Sequence, residues 1–267
     1  PIPRTLAVVL YGDMDVSLID EMPPGRKPVK TLCYDCESHR GRCYDFVEKQ
    51  IQEGRQAYVV TPLIDESEAM DAKSAQEVYE ELRTRFPRTA LIHGGMKQEE
   101  KDAVMNSFKE GDIDVLVATV VIEVGINVPN ATVMVIENSE RFGLAQLHQL
   151  RGRVGRGQWQ SYCFLILGSN SELAETRVKI MEASNNGFYI AEEDLKIRGP
   201  GEIFGTRQHG LPDMKLADMV RHMDILTTAR DEAKALIADD PGLNRIENRQ
   251  LRQRIIKLFG EDFSLNL

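Results

Sequence analysis

The chain has 267 residues, a formal net charge of −9 and 42% hydrophobic residues. That is enough apolar material for one large domain or two smaller ones, and no unbroken apolar stretch approaches the length of a bilayer-spanning helix. The start, Pro-Ile-Pro-Arg-Thr-Leu-Ala, carries no basic leader ahead of its apolar run, which points to the cytoplasm, and the acidic balance by itself counts against a nucleic-acid partner.

In chain order, the first feature is Cys33-Tyr-Asp-Cys36 with His39 and Cys43 close by. A structural zinc site separates its two ligand pairs by a real loop, and only two residues lie between Cys36 and His39. No metal is therefore assigned. Short apolar runs rich in β-branched residues follow at 57–61, 89–93, 115–119, 132–137 and 162–167. None alternates cleanly with polar residues, which suits strands buried on both faces. Between them lie helical patterns. Residues 72–86 bring Ala75, Val78, Tyr79 and Leu82 onto one face, and 97–109 do the same with Val104, Met105 and Phe108. Strands alternating with helices predict an α/β domain with a parallel sheet covered on both sides.

Past Gly168 the pattern changes. Ser171 is placed to cap a helix running to 183, which Asn185-Asn186-Gly187 ends. Residues 192–211 are rich in glycine and charge without a strong period, and 215–238 and 246–259 read as further helices. The chain divides near 170, into an α/β domain over 1–170 and a small, mainly helical region over 171–267.

Its basic residues are clustered. The densest group is Gln149-Leu-Arg-Gly-Arg153-Val-Gly-Arg156. Arginine stays protonated and presents a planar fork that matches phosphate oxygens. Two arginines three apart on a helical turn point the same way, and the glycines at 152 and 155 suggest close backbone approach. His93-Gly94-Gly95-Met96 lies between a strand and a helix, where open backbone N–H groups favour phosphate. Thr119 ends a strand and leads into Glu123-Val-Gly125-Ile-Asn127. No Gly-x-x-x-x-Gly-Lys-Ser/Thr loop and no Asp-Glu-x-His/Asp box occurs in the chain.

These segments resemble superfamily 2 helicases. The arginine run is similar to motif VI, in which the second and third arginines are fingers on the ATP γ-phosphate; Arg153 and Arg156 fill those positions and Gln149 the leading glutamine. The run around Thr119, Gly125 and Asn127 resembles motif V, with asparagine where the family usually has aspartate. By that resemblance Thr119, His93, Gly94 and Gly95 contact the DNA backbone, and Gly125 and Asn127 lie near the nucleotide. The tail, Asp194-Leu-Lys-Ile-Arg198 through Gly205-Thr-Arg-Gln208, is similar to the translocation segment shared by RecG and the transcription-repair coupling factor. Gly205-Thr-Arg-Gln and Met22-Pro-Pro-Gly-Arg26 lean towards RecG. The resemblance implies a second RecA-like motor lobe followed by a hairpin and loop in which Arg177, Arg198 and Gln208 couple ATP turnover to movement. It further implies ATP and Mg2+ held mostly by a first lobe absent from this chain. It also implies branched duplex DNA, the first lobe and a wedge domain as partners, and an inactive isolated chain. The alternatives are a coupling-factor translocase and a non-motor α/β binding module.

Overall fold

The computed structural model describes residues 26–35, 39–62, 68–119, 128–169, 171–198 and 223–259. Its strands are β1 (Lys30–Asp35), β2 (Gln56–Thr61), β3 (Thr89–Ile92), β4 (Val115–Thr119), β5 (Ala131–Ile136) and β6 (Tyr162–Leu167). They form one six-stranded sheet in the order β1-β6-β5-β2-β4-β3, and every pairing is parallel. The helices are α1 (Arg40–Gln52), α2 (Glu68–Arg85), α3 (Gln98–Glu110), α4 (Leu144–Arg151), α5 (Glu172–Ala183), α6 (Gly187–Arg198), α7 (Met223–Asp239) and α8 (Arg249–Phe259).

The alternation of side chains along each strand builds two cores. Tyr58, Val60, Leu116, Ala118, Met134, Ile136 and Leu165 face one side, where Phe108 of α3, Leu144 and Leu147 of α4, and Val178 and Met181 of α5 cover them. Ala57, Val59, Val115, Val117, Val133, Val135 and Phe164 face the other, against Val47 of α1 and Leu82 of α2. This is the layered α/β lobe that the alternating pattern predicts, with a helical tail after it.

Two departures from the sequence reading have local causes. Strand β1, Lys-Thr-Leu-Cys-Tyr-Asp, pairs among the described residues with β6 alone and leaves Leu32 37% exposed. An edge strand needs no long apolar run, so none marks it. The stretch read as irregular from 192 begins inside α6. Asn186 opens that helix, its Oδ1 accepting from the N–H groups of Phe188 and Tyr189 at 2.9 and 3.5 Å. Helix α5 itself ends one step earlier, at an extended Ser184, so the Asn-Asn-Gly expected to end it starts the next helix instead. Ser171 caps α5 as predicted, its Oγ accepting from the N–H of Ala174 at 3.1 Å.

The chain falls into two compact units. One contains the sheet and continues through α5 and α6 to Ile197, past the change of sequence pattern near 170. The other contains α7 and α8. Between those helices Asp240 accepts from the N–H groups of Asn244 and Arg245, both at 3.0 Å, and from Nδ2 of Asn248 at 2.9 Å, which fixes the elbow joining them. No helix among the described residues is long and apolar enough to cross a membrane.

Candidate functional site

A parallel sheet has two unlike edges, and the residues singled out in the sequence separate onto both. The arginine run lies at the N-terminal edge. Helix α4 ends at Arg151, and the chain from Gly152 to Ser161 returns to the start of β6. This arginine loop is seated on what precedes the neighbouring strands. Arg26 Nε donates to the carbonyl of Gly155 at 2.7 Å, and Gln160 Nε2 to that of Pro28 at 2.8 Å. Arg55 stacks over Trp159 with its guanidinium carbon 3.7 Å from the ring centroid, and its Nη1 donates to Asn130 at 3.0 Å.

Gly155 is required where it stands. Its φ is +73°, and an added Cβ would come within 2.8 Å of Val29 Cγ2. The close approach inferred from the glycines is real at this position. The helical-turn geometry inferred for Arg153 and Arg156 is not: the helix ends at Arg151, where the N–H groups of Arg153 and Val154 turn to the carbonyls of Leu150 and Arg151, and Gly155 at positive φ then reverses the chain. Their proximity comes from the loop instead. Arg156 Nε donates to the carbonyl of Gly152 at 3.1 Å. Burial lowers the Arg156 pKa, and the neighbouring cations Arg153 and Arg26 lower it further. The Tyr58 hydroxyl, pushed up to about 12 by burial, is drawn back by the same Arg156 and Arg153. Three guanidinium groups therefore share one local field, and among the described residues no carboxylate offsets it at Arg156. Such a site suits a polyanion. Gln149 is exposed one turn back on α4.

His93, Gly94, Gly95 and Thr119 lie at the opposite, C-terminal edge. Thr119 and Thr61 are paired across β4 and β2; both are buried, and neither hydroxyl has a hydrogen-bond partner among the described residues. His93 Nδ1 is buried in the same condition. The turn after β3 is closed by its own atoms, with Met96 N donating to His93 O at 3.2 Å and Lys101 Nζ to Gly94 O at 2.8 Å. The helix terminus read as a phosphate site differs from expectation. Glu100 accepts from Lys97 N–H at 3.0 Å, and with Glu99 it places two carboxylates in the first turn of α3. Those charges already answer the helix dipole. Gly95 also has room for a Cβ, which would meet His93 at an ordinary 3.5 Å.

Arg177 lies on α5, where its Nη1 donates weakly to Glu140 O at 3.4 Å and its buried Nε has no partner among the described residues. Arg198 ends α6. Gly125, Asn127 and Gln208 lie outside the described residues, as does the side chain of Arg198.

Sequence reasoning missed two arginines. Arg26 belongs to a segment quoted for resemblance, yet no spacing linked it to Gly155, 129 residues away. Arg151 is 2% exposed, and its Nη1 donates to Met181 O at 2.7 Å and to Thr31 Oγ1 at 3.2 Å. Its Nη2 donates to Nδ1 of His148 at 3.1 Å. A signal did exist: Leu144, Leu147 and Arg151 follow the helical repeat, so Arg151 falls on an apolar stripe.

Comparison with known proteins adds the following. The family model described as helicase conserved C-terminal domain matches residues 40–158. The model for ATP-dependent DNA helicase RecG, domain 3, C-terminal, matches residues 184–263. The chain is 49% identical to the ATP-dependent DNA helicase RecG of Synechocystis sp. over 97% of its length, covering 32% of that protein. With RecG of Thermotoga maritima it shares 53% identity over 88% of its length, covering 30% of that protein. A solved structure of RecG bound to a three-way DNA junction is 52% identical, with a TM-score of 0.67, and matches 85% of this chain and 29% of its own. The chain thus spans about a third of the length of these relatives.

Proposed function

The chain belongs to the RecG type of ATP-dependent DNA helicase over the part that it spans, and from that premise we propose that it is the second motor lobe and following helices of a translocase on branched DNA. The observation that carries this reading is the arginine loop, in which Arg153, Arg156 and Arg26 share one field on a backbone fixed by Gly155. ATP with Mg2+ would be gripped mostly by a first lobe, and Arg153 and Arg156 would reach its terminal phosphate across the cleft, with Gln149, Gly125 and Asn127 alongside. Bound ATP supplies the phosphoryl group whose transfer drives movement. The two guanidinium groups stabilise the charge that develops on that group. The loop can do so without reorganising, because Arg26 and Gly155 set its path.

The C-terminal edge, with His93, Gly94, Gly95 and Thr119, would follow the DNA backbone, and Thr119 Oγ1 is a donor without a partner among the described residues. Branched duplex DNA, the first lobe and a wedge domain of the whole protein are the partners of this reading, and a cytoplasmic location goes with it. Arg177, Arg198 and Gln208 would carry turnover into movement, so that 171–267 act as the transmission.

The test is Arg156→Ala in the full-length protein. Turnover should fall by roughly a thousandfold or more, as for loss of an arginine finger. ATP affinity should change far less, because the contact strengthens as charge develops. Collapse of affinity with intact turnover of bound ATP would refute the assignment.

A further inference from the structure

We propose that Arg151 is a positioning residue that ties the arginine loop to helix α5, passing displacement of the loop to the transmission through one buried guanidinium. This rests on the reading of Arg153 and Arg156 given above.

Packing alone does not account for an arginine at this place. Arg151 occupies a position on the apolar stripe of α4, where a hydrocarbon side chain would fill space with no desolvation. A guanidinium there gives up its hydration, and burial lowers its pKa accordingly. Its hydrogen-bond acceptors among the described residues are all neutral: a carbonyl, a hydroxyl and an imidazole nitrogen. Stability alone does not favour a buried cation held this way over an apolar residue of similar size.

What arginine alone supplies is reach to three elements from one rigid fork. Nη1 takes the Met181 carbonyl, one of the last four of α5 and so without a partner inside its own helix. The same nitrogen takes Thr31 on β1, and Nη2 takes His148 one turn back on α4. Arg151 is also the last helical residue before the arginine loop, two positions from Arg153. At the other end of α4, in the turn that precedes it, the Glu140 carbonyl accepts weakly from Arg177 of α5 at 3.4 Å. Helix α5 thus meets the residues at both ends of α4, firmly through Arg151 and weakly through Arg177. A pull on Arg153 reaches the carbonyl end of α5 through Arg151 as a direct mechanical link.

The experiment measures DNA-stimulated ATP hydrolysis and fork unwinding on the same preparations of full-length protein. The variants are Arg151→Lys, Arg151→Met, Thr31→Val and Arg156→Ala. Lysine keeps the charge but replaces the planar fork, whose two nitrogens reach Met181 and His148 separately, with one tetrahedral nitrogen; methionine keeps the bulk without donors. Partial unfolding lowers both activities equally, so the ratio of unwinding to hydrolysis isolates coupling. Both Arg151 variants should lower that ratio by roughly tenfold, and Thr31→Val by about two- to threefold, within the range of coupling through packed networks. An unchanged ratio overturns the proposal. If the Arg151 variants do not fold, Thr31→Val decides alone: a lowered ratio supports the link and an unchanged one overturns it. Arg156→Ala separates the two levels of failure. Full turnover in that variant removes the reading of the loop, and this inference with it. Turnover lost there, with an unchanged ratio in the Arg151 and Thr31 variants, removes the inference alone.

Discussion

His148 shows how far one buried cation reaches. Burial, and then the Arg151 guanidinium beside it, push the imidazole pKa down to about 4, against an ordinary value of 6.5. Because arginine only donates, Nδ1 of His148 must accept, which agrees with a neutral ring. The sign of the pH effect follows. Between about 6.5 and about 4 the unfolded chain binds a proton here that the folded chain refuses. The contribution of His148 is therefore complete above 6.5, is lost as pH falls through this window, and levels off below about 4. His148→Asn, which keeps an acceptor and cannot titrate, should remove that portion of the slope. Urea unfolding at pH 7.5 and pH 5, followed by the fluorescence of Trp159, the chain's single tryptophan, checks it. Equal losses in the parent and the variant would contradict the assignment. At this scale the sequence disclosed residue types that carry strong local patterns, such as Arg153, Arg156 and Ser171. It did not disclose Arg26 or Arg151, whose partners lie 129 and 30 residues away. Contacts of that kind are made by the fold, not by spacing.

Among the elements, β2, β4, β5 and β6 were legible because burial on both faces demands continuous apolar runs, and β3, at one edge and only partly buried, was legible from its short run Thr-Ala-Leu-Ile. The sixth, β1, covers an edge and carries no such run. Helices α2 and α3 were legible from one apolar face each. Helix α1 was not marked out, although it carries Arg40, whose Nε donates to the buried Glu137 at 2.8 Å and whose Nη atoms clasp Glu81 at 2.6 and 3.0 Å. Tyr44 OH donates to the same Glu137 oxygen at 2.6 Å, so the carboxylate that follows β5 holds α1, and Arg40 in turn ties α1 to α2 through Glu81. Helix α6 was hidden because its apolar and charged residues are spread around the helix without one strong apolar face, and glycine-rich sequence follows it directly. The prediction at this scale concerns α5 and the segment beyond it. Arg177→Ala and Gln208→Ala in the full-length protein should each leave hydrolysis largely intact and abolish fork unwinding. Gln208→Ala is the more pointed of the two, since it changes no charge and weaker attraction to DNA cannot account for a defect. Equal loss of both activities would place these residues outside the transmission.

For the molecule as a whole, the division of labour follows from parallel strands. All six begin at one edge and end at the other, so arginines on a loop entering β6 and a threonine closing β4 must lie at opposite ends of the sheet. On the proposed reading, such a lobe would hold phosphate chemistry at one end and leave the other for DNA. It supplies guanidinium groups, but its sequence has no glycine-rich loop with a lysine to cradle a triphosphate and no acidic box to hold magnesium. The central claim is that this chain carries half of a composite ATP site. The direct measurement is ATP hydrolysis by the purified 267-residue chain, with and without branched DNA. No turnover above background is predicted under either condition. A DNA-stimulated rate that disappears in Arg156→Ala would show instead that the chain holds a complete site, and would contradict the account.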